Sequence, residues 1–339
     1  MANIPLTELI EPPHMRTDEN TNRRVGVELE FGDISPQRTA DVVQNLFGGQ
    51  IKKEDPYKLL VEHTQYGTFV IELDTQYAHP KSQQGNTKQG FIADMANRMA
   101  ETVGDISKSF VPMEIACPPL DIEALPKLEK LVEALRQAKA TGTNKEIYYA
   151  FGCQLNPELA RLDIEFVLKN FKAWLLLEDW LRMVAANDLS RHLTAFANPF
   201  SRKYAKKVLK ETYAPTWEGF ISDYLKDNNT RNRGLDMLPL MVHVRPETQN
   251  KANDARIKAR PTFHYRIPDS RIDEPAWTLV LEWNRWVQVE LLAENPEMFH
   301  MLKKKYLEKS WSRRSWAREV ANVLQQTPLF AENKDNKQA

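Results

Sequence analysis

The stretch RRVGVELEFGD, Arg23 to Asp33, constrains this chain more than any other. Val25, Val27, Leu29 and Phe31 alternate with Gly26, Glu28 and Glu30. A period of two is the mark of a strand with one apolar face, and residues two apart share a face. Glu28 and Glu30 therefore stand side by side on the polar face. Bulk water makes such a pair harmless, whereas a recessed sheet face makes it a cation trap.

The same signature recurs along the chain. In VIELDTQ, Glu72 and Asp74 alternate with Ile71, Leu73 and Thr75; in VPMEIACPP, Glu114 interrupts an apolar strand. In FGCQLNPEL, Gln154 and Asn156 alternate with Cys153 and Leu155, and in TFHYRIPD, His264 and Arg266 alternate with Phe263, Tyr265 and Ile267. A half-solvated antiparallel sheet produces this alternation by itself in any one strand. Jointly, the strands gather Glu28, Glu30, Asp74 and Glu114 on a polar face that ends with His264 and Arg266. Acids facing one another on adjacent strands repel unless a cation lies between them. Carboxylates without thiolates are hard ligands, suited to Mg²⁺ or Mn²⁺. Magnesium often completes its shell with nucleotide phosphates, and arginine neutralises phosphate charge. The face thus reads as a metal–nucleotide site with Glu28 and Glu30 toward the cation.

The elements around these strands are legible. Ser35 caps, Pro36 opens and Gly48-Gly49 ends a helix in SPQRTADVVQNLFGG. YKLLVEHTQ and TFVIELDTQ form a hairpin about Tyr66-Gly67. A helix is expected over 91–109, after the polar loop AHPKSQQGNTKQG. DIEALPKLEKLVEALRQAKATG reads as an amphipathic helix capped by Asp121 and stopped by Gly142. Further helices are expected over 162–186, 274–293, NPEMFHMLKKKYLEKS and SWAREVANVLQQ, with strand character in RPTFHYRIPD. Strands with intervening helices followed by mostly helix give an α+β fold: a curved antiparallel sheet with helices on one face, an open concave active face and a helical C-terminal part. The division is a polar leader (1–22), a single domain (23–310) with a helical insert (187–258), and a C-terminal helix with a disordered tail (311–339).

Lys plus Arg and Asp plus Glu number 46 each, so net charge gives no push toward nucleic acid or an anionic membrane. No apolar run reaches the ~18 residues of a membrane span. Two cysteines, Cys117 and Cys153, cannot make a disulfide framework and read as small core residues in a reduced, cytoplasmic protein. No histidines pair as HxH or HxxxH, and His243 and His264 alone lie in strand-like settings. Neither GxxxxGK[ST] nor GxGxxG occurs. Trp283 and Trp286, at i and i+3, form a packing stripe. The basic stretches SRKYAKKVLK and LKKKYLEKSWSRRSW read as solvated helix faces, with a nucleic-acid surface as the alternative.

In order, these segments resemble the amidoligase family, carboxylate–amine ligases that share the glutamine synthetase and glutamate–cysteine ligase fold. RRVGVELEFGD is similar to the family's opening strand, FVIELDTQ to its strand ending in an acid, and FVPMEIACPPL to its Glu, two small residues, then proline. YAFGCQLNPEL stands where the family has glycine and two alternating histidines. LSRHLTAFANP and RNRGLDMLPL resemble its arginine segments, and PTFHYRIPDS its last Glu-aromatic-Arg strand. The likeness spans 23–293. It implies ATP-dependent phosphorylation of a carboxylate and attack by an amine to give an amide. The substrates would be small-molecule or peptide carboxylates and amines, with a glutamine amidotransferase-type partner. Carried over, Glu28 and Glu30 hold Mg²⁺ (or Mn²⁺), and Glu114 holds a second metal or the amine. Asp74, Gln154 and Asn156 lie at the cofactor. Arg191, Arg233 and Arg266 meet phosphate or carboxylate, and His264 joins Glu114, Arg191 and Arg266 in catalysis.

The departures are as specific as the likeness. Gln154 and Asn156 replace the paired histidines, His264 replaces the last glutamate, and Asp236 stands where asparagine is expected. Three readings follow: an active ligase, a catalytically silent assembly module on the same fold, and a nucleic-acid-binding protein using the basic C-terminal helices.

Overall fold

The computed structural model describes residues 4, 7–55, 57–73, 112–143, 151–185, 197–252, 254, 257–327 and 329. Asp74, Arg191, the expected helix 91–109 and the loop before it lie outside these residues.

Seven antiparallel strands make one sheet: β1 (Arg24–Phe31), β2 (Gln50–Asp55), β3 (Lys58–Thr64), β4 (Gly67–Leu73), β5 (Met113–Ala116), β6 (Leu120–Asp121) and β7 (Cys153–Pro157). Their order is β2-β3-β4-β5-β1-β6, and β7 also pairs with β1. The opening motif is therefore the centre of the sheet, held by β5 and then β6 along one edge and by β7 along the other. The alternation in β1 is its cause: Val25, Val27, Leu29 and Phe31 are fully buried. Leu59, Val61, Phe69, Ile71, Met113, Ile115 and Leu155 continue the same apolar layer. Burying one such side chain stabilises the fold by roughly 1.5–3 kcal/mol.

Among the described residues there are nine helices, of which the first packs on the sheet: α1 (Pro36–Phe47), α2 (Glu129–Gln137), α3 (Ile164–Ala185), α4 (Arg202–Val208), α5 (Trp217–Asn228), α6 (Leu238–Val244), α7 (Leu279–Ala293), α8 (Pro296–Glu308) and α9 (Arg313–Gln326). Helix α1 starts as expected, with the Ser35 side chain accepting from Arg38 N, and ends at Gly48 with φ of 73°. It packs on β3 and β4. Helices α3 and α7 pack together, with Trp174, Trp283 and Trp286 fully buried. The C-terminal α9 lies on α3, where buried Trp316 donates from Nε1 to Leu176 O at 2.7 Å. Both cysteines are buried in the core, as the sequence reading expected, and burial pushes both thiols up.

Several elements differ from expectation. Strand β2, QIKKED, was missed: it is an exposed edge strand, and with one neighbour and no cover it carries lysines rather than an alternating pattern. Asp121 makes no side-chain cap; it accepts instead from Asn22. Pro126 lacks an N–H, and residues Ile122–Leu128 form 3₁₀ turns before α2 begins. Helix α7 starts at Leu279 rather than 274, because Thr278 supplies its cap and residues 271–277 form tight turns. His243 lies on α6, not on a strand. The segment 261–270 is extended beside β7 but pairs only through isolated bridges, Leu155 with Tyr265 and Glu158 with Thr262 among them.

Candidate active site

The polar face follows from register. Glu72 on β4 is opposite Glu114 on β5, and Glu114 is opposite Glu30 on β1. Three glutamates thus form a line across three adjacent strands, where directly opposed Cβ atoms are about 4.5–5.5 Å apart. The next rung places Val70, Ala116, Glu28 and Gln154 in line, and the one after it pairs Gly26 with Asn156. Glu28, Glu72 and Glu114 are half-buried; Glu30, Gln154 and Asn156 are buried.

Strand β7 supplies amides where the resemblance implied imidazoles, and both hold a carboxylate. Gln154 Nε2 donates to Glu30 Oε1 at 3.2 Å, and Gly152 N donates to Glu30 Oε2 at 2.8 Å. Asn156 Nδ2 donates to Glu28 Oε1 at 3.0 Å, leaving Asn156 Oδ1 buried with no donor among the described residues. Glu28 Oε1 accepts a second bond, from Arg260 NH1 at 3.1 Å. Burial pushes the Glu28 carboxyl up, but His264, Arg260 and Arg266 outweigh it and hold the group below its ordinary range.

Behind β7 the extended segment contributes His264 and Arg266. His264 is wholly buried, with Nε2 2.7 Å from Gln154 Oε1 and Nδ1 3.5 Å from Asp236 Oδ2. Burial lowers its affinity for a proton, with Arg266 acting the same way against the pull of Asp236 and Glu28. Asp236 is also wholly buried, receiving Arg231 Nε at 3.2 Å and Leu238 N at 3.1 Å. Burial raises the Asp236 carboxyl, yet His264, Arg231 and Arg266 together hold it below its ordinary value. Arg266 is half-buried, and its guanidinium has no hydrogen-bonded partner among the described residues.

The structure therefore brings Glu28, Glu30, Glu114, Gln154, Asn156, His264 and Arg266 to one region. Arg233 adjoins this region through Gly234 O, which accepts from Arg266 N at 2.9 Å, while its side chain is engaged by other groups: NH1 donates to Pro199 O, NH2 to Asp227 O, and the guanidinium lies 5.5 Å from the Phe200 ring centroid. Its role there is to tie a loop to the end of α5. Sequence reasoning missed Arg260 and gave Glu72 no role in the site. The Glu72 signal was present in the alternation of VIELDTQ, but only strand register aligns it with Glu114. Arg260 opens RPTFHYRIPD in phase with His264 and Arg266, yet nothing local announces its long-range pairing with Glu28.

Among the described residues, no three His, Cys, Asp or Glu side chains are already gathered as a metal-binding group. In kind, the donors match a hard cation: carboxylate oxygens from Glu28, Glu30, Glu72 and Glu114 and the unpartnered amide oxygen of Asn156. No helix among the described residues is long and apolar enough to cross a membrane.

The comparisons with known proteins agree with the order of motifs. The sequence profile of the family described as "Putative amidoligase enzyme" matches residues 21–288. No curated protein and no solved structure matches the chain.

Proposed function

Because the chain belongs to the amidoligase family, we propose that it is an ATP- and Mg²⁺-dependent ligase joining a carboxylate to an amine through an acyl phosphate, on a glutamine-synthetase-like sheet. The observation carrying this reading is the line Glu72–Glu114–Glu30, with Glu28 one rung away. Side-by-side carboxylates on a half-buried face are poorly tolerated without a counter-charge. Glu28, Glu30 and Glu114 would hold Mg²⁺ or Mn²⁺, with Glu72 and Asn156 Oδ1 adjoining. The cation would offset phosphate charge as it develops.

The chain's own groups have distinct tasks in this reading. Gln154 and Gly152 N fix the Glu30 carboxylate, and Asn156 fixes Glu28, so that the acidic groups are oriented before substrate arrives. Arg266 meets the γ-phosphate or the substrate carboxylate, as its unpaired guanidinium allows. A substrate carboxylate oxygen attacks the γ-phosphorus, and ADP leaves. The amine then attacks the acyl carbon, and phosphate departs with the proton the nitrogen loses. His264 is too deeply buried to touch substrate here and acts by holding Gln154.

A catalytically silent binding module is the second reading, favoured by the replacement of both imidazoles by amides and by the Arg260–Glu28 pair. One structure separates them from any unrelated role: the protein soaked with Mg²⁺ and a non-hydrolysable ATP analogue. Density bridging Glu28 and Glu30 to Glu114 is expected; nucleotide elsewhere, or none, refutes both. ADP release across a panel of carboxylates and amines then distinguishes ligase from module. Glu30→Gln is expected to lower turnover about 10²-fold or more.

A further inference from the structure

Arg23 and Arg260 each hold a glutamate, and they do so differently. Arg23 is wholly enclosed and uses every guanidinium nitrogen: Nε donates to Glu158 O at 2.8 Å, NH1 to His14 O at 2.6 Å and Glu290 at 2.8 Å, and NH2 to Glu290 at 2.9 Å. Such a group is fixed. Among the described residues Arg260 makes a single side-chain bond, NH1 to Glu28 Oε1, and its Nε is buried with no acceptor. Its side chain is 28% exposed, and its backbone is anchored independently through Arg260 N to Pro239 O at 3.2 Å. Among the described residues, one ion pair is the guanidinium's polar anchor.

That place is the acidic face itself. Arg260 and Asn156 converge on the same oxygen of Glu28. A divalent cation drawn to Glu28 would find a positive charge 3.1 Å from the oxygen it needs. The two cannot share that oxygen without strong repulsion.

We infer that Arg260 is a displaceable counter-ion, a latch that neutralises Glu28 while the face holds no cation and swings away when one binds. This deepens, and rests on, the ligase reading of the same face. The latch offsets the charge of Glu28, one rung from the acidic line, in the free protein. It also frees the guanidinium for an anionic group of the incoming substrate, so that cation entry prepares anion binding. Linkage makes the effect reciprocal: whatever draws Arg260 off Glu28 strengthens cation binding.

The test uses Mn²⁺ alone, titrated into the full chain and followed by the electron paramagnetic resonance signal of free Mn²⁺. Arg260→Met keeps the aliphatic stem and removes the charge; it is expected to bind Mn²⁺ about 10- to 100-fold more tightly than the unaltered chain. Glu28→Gln is expected to abolish the gain. A crystal of the unaltered protein soaked with Mn²⁺ should show Arg260 turned away from Glu28, a readout that does not require any variant to fold. Equal affinities with and without Arg260, or Mn²⁺ bound with Arg260 still on Glu28, overturn the latch while leaving the ligase reading intact. Mn²⁺ binding to none of the proteins, or binding indifferent to Glu28, overturns both.

Discussion

His264 Nε2 lies 2.7 Å from Gln154 Oε1, and this contact assigns both groups. The Gln154 amide nitrogen is committed to Glu30 Oε1, so its oxygen faces the ring, and the ring nitrogen must carry the proton it shares. The path His264–Gln154–Glu30 therefore runs in one direction, from a buried imidazole to a carboxylate on the polar face. Gln154→Ala would leave a buried N–H unpaired and Glu30 one donor short. It is expected to cost about 1–3 kcal/mol of stability, measured by urea denaturation. An unchanged midpoint would remove this path from any account of the site.

Acidification should act on the same cluster in two steps. His264 binds its proton less readily when folded than the ordinary value of 6.5 implies, so the unfolded chain takes up the proton first. Stability from this group is present above pH 6.5 and is lost as pH falls toward the lower folded value. Glu28 and Asp236, both held below their ordinary values of 4.5 and 3.8, contribute stability that is lost as pH falls further, through their folded values. Urea midpoints taken from pH 8 down to pH 3 should stay level, drop below 6.5, and drop again below 4.5. His264→Gln should flatten the first step and spare the second. A midpoint constant from pH 7 to pH 5 contradicts the assignment.

What could be read from the sequence and what could not divides along a physical line. Strand β1 was legible because one-sided burial imposes alternation, and Val25, Val27, Leu29 and Phe31 obey it without exception. The caps of α1 were legible because Ser35, Pro36 and Gly48 act locally. The acids of the site were visible as individuals, yet which acid faces which depends on register, and register is fixed by long-range pairing. Glu72 illustrates this: it pairs across to Glu114 only because β4 lies beside β5. Asp236 was visible as a replacement for asparagine but not as the partner of His264, the reach of Arg260 to Glu28 is set by tertiary contacts, and the donor at Gly152 is a backbone N–H that no residue type announces.

Arg23 and Glu290 join the start of β1 to α7 through a buried two-bonded pair, with Trp286 Nε1 donating to the same carboxylate at 2.8 Å. Removing one partner leaves a charge without compensation in a dry setting. Arg23→Met alone is expected to destabilise by about 3–5 kcal/mol, and adding Glu290→Met should restore part of that loss. A double-mutant cycle by denaturant unfolding measures it. Strictly additive losses would mean that the pair has no coupling and that β1 is held to α7 by apolar contact alone.

The basic helices provide the last test, because much of their charge is already neutralised within the chain. Lys207 pairs with Asp223 at 2.7 Å, Lys305 with Glu319 at 2.6 Å, Arg313 with Asp179 at 2.9 Å, and Lys303 with Glu211. Lys309 lies 3.9 Å from the centroid of the Trp311 ring, covering the aromatic face that a nucleobase would need. A phosphate backbone would have to compete with these acids for each contact. Few released counter-ions are therefore expected, with log K against log salt no steeper than about −2 for a labelled single-stranded oligonucleotide followed by fluorescence anisotropy. A steep slope that collapses in Lys309→Glu would establish the nucleic-acid surface and move the protein's main partner from the sheet face to its C-terminal helices.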